Sequence, residues 1–182
     1  MVSEWGWIGL ALRFLGVVRV WRHFMMKLLR APQLNIETGE GDPYQQQWSD
    51  SGGQQTLWRV RVNNRNLSEP RRNVRVRIGG VEPWMMQGMP MYLQVQHRPG
   101  VASFDLTPGG YEYVDVIQQS LPNGMLLLWH TVSHLEHLIP TQPYTLTLTV
   151  SSDDSRPCAR NGRIEVQNNV CRLRLLDQKG SF

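Results

Sequence analysis

A period-two alternation of apolar and polar residues, repeated in several short stretches, is the feature that most constrains the fold of this chain. In 58–62 and again in 74–78, apolar side chains take every second position and arginines fill the positions between. Successive side chains of a β-strand point to opposite faces, so this pattern predicts strands that bury one face. Further candidate strands are 34–36, 91–95, 113–117, 125–129, 145–150, 164–166 and 171–175.

Turn-forming residues separate these stretches. Glycine and proline are frequent, with 16 and 11 residues, and they cluster in segments such as Thr107–Gly110 and Leu121–Gly124. Gln167–Asn169 lies between two alternating stretches and is typical of a tight hairpin. Because no strong helical pattern follows residue 32, the sequence predicts an all-β body built as an antiparallel sandwich.

Residues 1–32 differ from the rest of the chain in charge. They hold five basic residues against Glu4 alone, a surplus of four that equals the net charge of +4 of the whole protein. The stretch 33–182 therefore holds 14 basic and 14 acidic residues. A neutral body behind a basic leader favours attachment to a surface through the leader, and it disfavours a body that binds polyanions along its length.

The leader has the pattern of a basic amphipathic helix. From Arg19 to Arg30, basic residues recur at helical spacing and apolar residues fill the other side. The longest uncharged run, Trp5–Leu12, is shorter than the roughly 20 apolar residues of a spanning helix. A helix of this kind lies in the headgroup region with its cations toward anionic lipid. The candidate contact residues are Trp5, Trp7, Arg13, Arg19, Trp21, Arg22, Phe24, Lys27 and Arg30.

Three interpretations of the leader stay open: contact with a membrane surface, docking into a protein partner or a second copy of the chain, and an unstructured extension. If the leader spans a membrane, the basic residues that follow its apolar run place the body in the cytoplasm. The expected location is therefore the cytoplasmic face of the inner membrane. The expected divisions are the leader 1–32, a sandwich at 33–177 and a tail at 178–182.

Two parts of the body resemble a known family. Leu57–Asn64 followed by Arg72–Ile78 resembles the strand, Asn, loop, strand opening of bacterial immunoglobulin-like domains of the CARDB type. Asp105–Gly110, before the predicted strand Tyr111–Ile117, is similar to the turn that precedes a central strand in such domains. The resemblance covers roughly 34–176 and extends to bacterial proteins in which a similar sandwich follows an N-terminal membrane segment. It implies an immunoglobulin-like sandwich, for which the alternating stretches predict about eight or nine strands, with an adhesion, scaffolding or anchoring role and no shared catalytic residues.

The arginines of the two first long strands, Arg59, Arg61, Arg75 and Arg77, are candidates for an anion-binding face. In an immunoglobulin-like topology, however, the second and third strands belong to different sheets, and carboxylates such as Asp115 can pair with arginines across strands. A solvated, charge-balanced face is therefore the first expectation, and an anion-binding face is the alternative. Aromatic residues do not alternate with these arginines as in a base-stacking platform, so nucleic-acid binding is not expected.

His130, His134 and His137 have the spacing that gathers three imidazoles on one face of a helix, an arrangement that can hold zinc. The segment lies between a predicted strand and Pro140, where no helix needs to form, and no metal site is expected. The sequence contains no nucleophile-elbow motif and no glycine-rich phosphate loop. A non-catalytic protein without cofactor or small-molecule substrate is therefore expected, with a membrane surface or a protein as its partner.

Overall fold

A computed structural model describes residues 33–83, 91–121, 124–128, 136–138, 142–167 and 170–176, with the backbone alone at 136–138 and at Gln167. The strands in these residues are β1 (Leu34–Glu37), β2 (Gln45–Asp50), β3 (Gly53–Asn64), β4 (Arg71–Glu82), β5 (Met91–Tyr92), β6 (Ser103–Leu106), β7 (Tyr111–Leu121), β8 (Met125–Leu128), β9 (Glu136–Leu138), β10 (Tyr144–Ser152), β11 (Ser155–Gln167) and β12 (Val170–Leu175). Their pairings are all antiparallel, which confirms the prediction of an antiparallel all-β body.

The strands form two sheets of six. The first sheet has the order β1-β3-β7-β8-β9, and β2 also pairs with β3. β1 pairs with residues 61–64 of β3 and β2 with residues 53–58, so that two short strands together complete one edge of the sheet. The second sheet has the order β12-β11-β10-β4-β5, and β6 also pairs with β4. Among the described strands, β12 is therefore the last strand on its side of the second sheet.

One hydrophobic core joins the two sheets. Trp58, Val60 and Val62 of β3 lie in it together with Val74 and Val76 of β4, as the alternation predicts. The arginines between these positions consequently lie on the outer faces of the two sheets. Because the core draws on both sheets, the described strands form a sandwich.

The described residues form twelve strands in place of the eight or nine expected, and the additions are β2, β6 and β9. β2 reads Gln-Gln-Gln-Trp-Ser-Asp and none of its residues is fully buried, so it carries no apolar alternation. β9 has only three residues. Both strands exist because a neighbouring strand offers backbone hydrogen bonds, which a local pattern cannot reveal.

The predicted hairpin near the C-terminus is confirmed in its register. Ile164 lies opposite Leu173 and Val166 lies opposite Cys171, so that apolar residues of β11 and β12 share the core face. The turn between β2 and β3 is tight: Asp50 lies opposite Gly53, whose φ of 108° only glycine adopts readily. The side chain of Asp50 accepts a hydrogen bond of 2.8 Å from the Gly52 amide within this turn.

Polar side chains link the two sheets along one side of the sandwich. The buried Gln119 of β7 accepts a hydrogen bond of 2.9 Å from the backbone amide of Cys171 in β12. Arg160 of β11 donates a bond of 3.2 Å to the side chain of Asn35 in β1. These bonds give hydrogen-bond partners to polar groups at the margin of the core.

The N-terminal helix expected at 1–32 and the tail expected at 178–182 lie outside the described residues. A division of the chain into two units falls between Ala31 and Pro32, and the described residues belong to the second unit. Within them, no helix with the length and apolar character of a membrane span is found.

Both cysteines of the chain are free and buried. Cys171 has no exposed surface, and burial raises the pKa of its thiol to about 12. Only the thiolate is an effective nucleophile. Cys171 is therefore shielded from thiol reagents both by access and by its protonation state.

In a Cys158→Ala variant, we expect Cys171 to react with a disulfide reagent at pH 8 at least about a thousandfold more slowly than in the urea-unfolded chain. The measurement is the release of the chromophoric thiol in stopped-flow and manual mixing. The unfolded chain serves as the internal control, because it should show one fully reactive thiol. Comparable rates in the two states would show that Cys171 is accessible.

Candidate functional site

The four strand arginines are divided between two sheets and do not form one basic face. Arg59 and Arg61 belong to β3 in the first sheet, and Arg75 and Arg77 belong to β4 in the second. The apolar neighbours of these arginines enter the shared core from its two opposite sides. Because successive side chains alternate in direction, the two pairs of arginines face outward on opposite sides of the sandwich. No single anionic ligand of small size can contact all four.

Arg59 is buried and neutralised. Its Nε donates to Oδ1 of Asp115 at 2.7 Å, and a terminal nitrogen donates to Oε1 of Gln46 at 2.6 Å. The side chains of Arg59 and Asp115 are only 3% and 6% exposed. Burial raises the pKa of Asp115, although the hydrogen bond and charge of Arg59 act to lower it. Arg59 therefore has a structural role, and its charge is paired with that of Asp115.

A β-bulge on β7 places Asp115 opposite Arg59. Trp58 lies opposite Ile117, whereas Arg59 lies opposite Asp115, so that Val116 is an extra residue on β7. Both Val116 and Ile117 are thereby buried in the core. The extra residue keeps Asp115 on the outer face, directly opposite Arg59.

Arg61 lies in a cluster with Tyr44, Tyr111 and Tyr113, which we term the tyrosine cluster. Its guanidinium lies 5.9 Å from the ring centre of Tyr44 and 5.4 Å from that of Tyr111. Tyr113 packs edge-on against both rings, at 5.5 and 5.7 Å between centroids. Cation–π contacts of this kind add to an ion pair, since Arg61 also bonds Glu37 at 2.5 Å.

The pKa values of Glu37, Arg61 and Tyr44 are shifted by burial and by their mutual contacts. Burial acts to raise the pKa of Glu37, but hydrogen bonds from Arg61, Asn63 and Asn35 outweigh it and the pKa is lowered. The hydrogen bond to Glu37 raises the pKa of Arg61. Burial raises the pKa of Tyr44 against the opposing charge of Arg61. The cation and the carboxylate are thus both held in their charged forms.

Arg75 and Arg77 are half-buried on the outer face of the second sheet. The Nε of Arg75 donates to Oδ1 of Asn73 at 3.0 Å, and its guanidinium lies 5.9 Å from the ring centre of Tyr92. Arg77 lies between Thr149 on β10 and Tyr92 on β5. These two arginines therefore border a face of hydroxyl and aromatic groups.

The other predicted site residues lie mostly outside the described part of the chain. All nine leader residues belong to 1–32, and His130 and His134 are also outside it. His137 lies in the short strand β9, opposite Leu127. In the described residues, no group of three or more metal-ligating side chains comes together.

A groove that sequence reasoning missed lies along β12. It has a volume of about 410 Å³ and is bounded by β12 on one side and by Thr38–Glu40 on the other. Trp58, 4% exposed, lies in its wall together with Leu173. The volume falls within the range of ligand-binding clefts, roughly 300–1,000 Å³. We term this feature the edge groove.

The edge groove depends on contacts that are distant in sequence. The alternation at 171–175 predicts a strand, but it does not show that β12 is the last described strand of its sheet. Nor does it show that Thr38 and Trp58 approach it from the other sheet. The only local signal is the pair of arginines, Arg172 and Arg174, because charged side chains are typical of edge strands.

Comparison with known proteins gives no match: no family model, curated protein or solved structure matches this chain. The resemblance to CARDB-type domains is not tested by these comparisons and stays a prediction.

Asp115→Ala is expected to lower the free energy of unfolding by about 3–5 kcal/mol, because it leaves the Arg59 charge buried without its partner. The matched control is Glu37→Ala, which breaks a pair whose side chains are about one-third exposed and should cost less than about 1 kcal/mol. Urea unfolding followed by tryptophan fluorescence measures both. A double variant, Arg59→Met with Asp115→Leu, should recover most of the stability lost in Asp115→Ala. Equal losses in Asp115→Ala and Glu37→Ala would contradict a buried ion pair between Arg59 and Asp115.

The lowered pKa of Glu37 predicts a pH-dependent stability. A carboxyl with a depressed folded pKa stabilises the fold above its ordinary value of 4.5, and this contribution is lost as the pH falls through the folded pKa. Between pH 6 and pH 3, the wild type should therefore lose more unfolding free energy than Glu37→Gln. Parallel curves for the two proteins would contradict a specific role of Glu37.

Proposed function

We propose that this protein is a non-catalytic binding or scaffolding module that residues 1–32 attach to an anionic membrane surface. Its place is the cytoplasmic face of the inner membrane, and its body is an immunoglobulin-like sandwich that presents binding surfaces to a protein partner. The resemblance to CARDB-type domains supports the same role, because such domains act in adhesion, scaffolding or anchoring.

The observation that carries the proposal is the division of charge between leader and body. The leader contributes the whole net charge of +4, and 33–182 is balanced. In the described body, the most buried arginines have carboxylates at hand: Arg59 pairs with Asp115, and Arg71 lies 3.1 Å from Glu69 and 3.4 Å from Asp154. These cations are not available to a surface.

The leader offers the opposite situation. Glu4 is its only acidic residue, so its five basic residues have little opposite charge within the segment. A basic residue near an anionic membrane surface contributes about 1 kcal/mol of attraction. The apolar and aromatic residues of the leader add buried apolar area in the headgroup region. Both contributions favour a membrane surface over free solution.

A vesicle assay with charge-matched variants tests the attachment. In one variant Arg19, Arg22, Lys27 and Arg30 become Gln; in the control, four exposed arginines of the body, at positions 65, 72, 98 and 156, become Gln. The full chain should sediment with phosphatidylglycerol-containing vesicles and much less with phosphatidylcholine vesicles. The leader variant should lose at least about tenfold in partitioning, and the control variant should keep it.

Two outcomes would contradict the proposal. Equal losses of vesicle partitioning in the two variants would show that attachment depends on the overall charge of the protein and not on the leader. Alternatively, a full chain that ignores vesicles but forms a dimer by light scattering, with the dimer lost in the leader variant, would establish the leader as a protein-docking helix. High salt should weaken the vesicle interaction, because screening shortens the reach of exposed charges to a few ångströms.

A further inference from the structure

The backbone of β12 directs hydrogen-bonding groups into the edge groove. The amide of Cys171 bonds the side chain of Gln119 at 2.9 Å, and the amide of Leu175 bonds the hydroxyl of Thr38 at 3.4 Å. Neither bond goes to β11. Along an antiparallel strand the direction of the backbone groups alternates, so the amide and carbonyl of Leu173 point the same way. Leu173 thus offers one donor and one acceptor between two positions that are already capped.

Side chains along β12 divide by face. Cys171 and Leu173 are buried against the core, and Arg172 and Arg174 are exposed on the outer face. An extended segment beside β12 would place its own side chains in the same alternation. The residue opposite Leu173 would point toward the groove and Trp58, and its two neighbours would lie opposite Arg172 and Arg174.

The charges at this edge select the ligand. Arg174 lies opposite Arg163 on the neighbouring strand β11, and Arg163 forms an ion pair with Glu165 at 3.0 Å. Glu40 approaches Arg174 only to 3.9 Å, and both side chains are more than half exposed. Three arginines therefore face two carboxylates here, leaving a positive surplus. Opposite charges on facing strand positions stabilise pairing, and like charges oppose it.

A second copy of the chain is a poor occupant for the same reason. If two β12 strands paired antiparallel around Leu173 with their outer faces on the same side, Arg172 of each copy would lie opposite Arg174 of the other. Both contacts would join like charges. Arginines on an edge strand are a known device against such pairing. The favoured partner is a chain of opposite charge.

We propose that the edge groove binds an extended peptide segment of the form acidic, apolar, acidic, which adds a strand to β12. The apolar side chain contacts Leu173 and Trp58, its backbone exchanges two hydrogen bonds with Leu173, and the flanking carboxylates pair with Arg172 and Arg174. The bonds of Gln119 and Thr38 stay in place at either end. This inference rests on the proposed function in that it names the ligand of the body.

Fluorescence anisotropy with synthetic peptides tests the binding, using the full chain without lipid. The probe is a labelled Gly-Ser-Glu-Val-Glu-Val-Glu-Ser-Gly peptide. A second peptide carries Lys in place of each Glu, and a third has both valines N-methylated, which removes their backbone donors. The first should bind at least about tenfold more tightly than either of the others.

A charge reversal on the protein gives the sharper test. Arg172→Glu with Arg174→Glu should weaken the glutamate peptide by about tenfold or more and make the lysine peptide the tighter ligand. Arg65→Glu, at an exposed loop position, is the control and should change neither affinity. If the reversed protein fails to fold, the milder Arg172→Gln with Arg174→Gln should still weaken the glutamate peptide.

Amide hydrogen exchange shows whether a strand is added. On binding, exchange at Leu173 should slow at least about tenfold, whereas Arg172 and Arg174, whose amides point to β11, should change little. Equal binding of the glutamate and lysine peptides, no binding of either, or unchanged exchange at Leu173 would each overturn the proposal, as would a dimer formed through β12. The N-methylated peptide keeps the charge of the first peptide, and the Arg172 and Arg174 variants keep the leader unchanged, so these two comparisons separate strand addition at β12 from attraction by the leader.

Discussion

Packing one face of each long strand into a single core is the constraint on which the rest of this structure depends. On β3, burying Trp58, Val60 and Val62 forces Arg59 and Arg61 to the outer face. There Arg59 is covered and must meet a carboxylate, because an unpaired buried charge is costly. The bulge on β7 supplies Asp115 at that point. The charge of the buried Arg59 is therefore balanced by a carboxylate at the facing position of the neighbouring strand.

Much of the fold could be predicted because alternation is a local property. The long strands β3, β4, β7, β10 and the β11–β12 hairpin all carry it, and the register of the hairpin follows from its short loop. β2 and β9 could not be found, since they lack the pattern. The sequence offers Asp115 as a partner for the strand arginines, but its pairing with Arg59 depends on a bulge and joins residues 56 positions apart. The edge groove depends on the order of strands in a sheet. Such relations are not written in any one stretch of sequence.

An open sandwich, unlike a closed barrel, leaves edges that another chain can extend. At β12 two devices limit this. Gln119 and Thr38 occupy the outward amides of Cys171 and Leu175, which leaves Leu173 alone between them. Arg172 and Arg174 then repel a second copy. The same two arginines that prevent self-pairing are complementary to an acidic strand, so protection against aggregation and selection of a partner have one physical origin.

The two proposed contacts of the protein read different properties of their ligands and so do not compete. A membrane surface presents diffuse negative charge and an apolar interior, which a basic amphipathic segment meets without any fixed register. The edge groove requires a backbone that can exchange hydrogen bonds with Leu173 and an apolar side chain directly between two carboxylates. A lipid headgroup offers neither. Salt screens the exposed charges of both contacts, but the strand on β12 also holds two backbone hydrogen bonds of fixed geometry. A rise in ionic strength should therefore release the leader before it releases that strand.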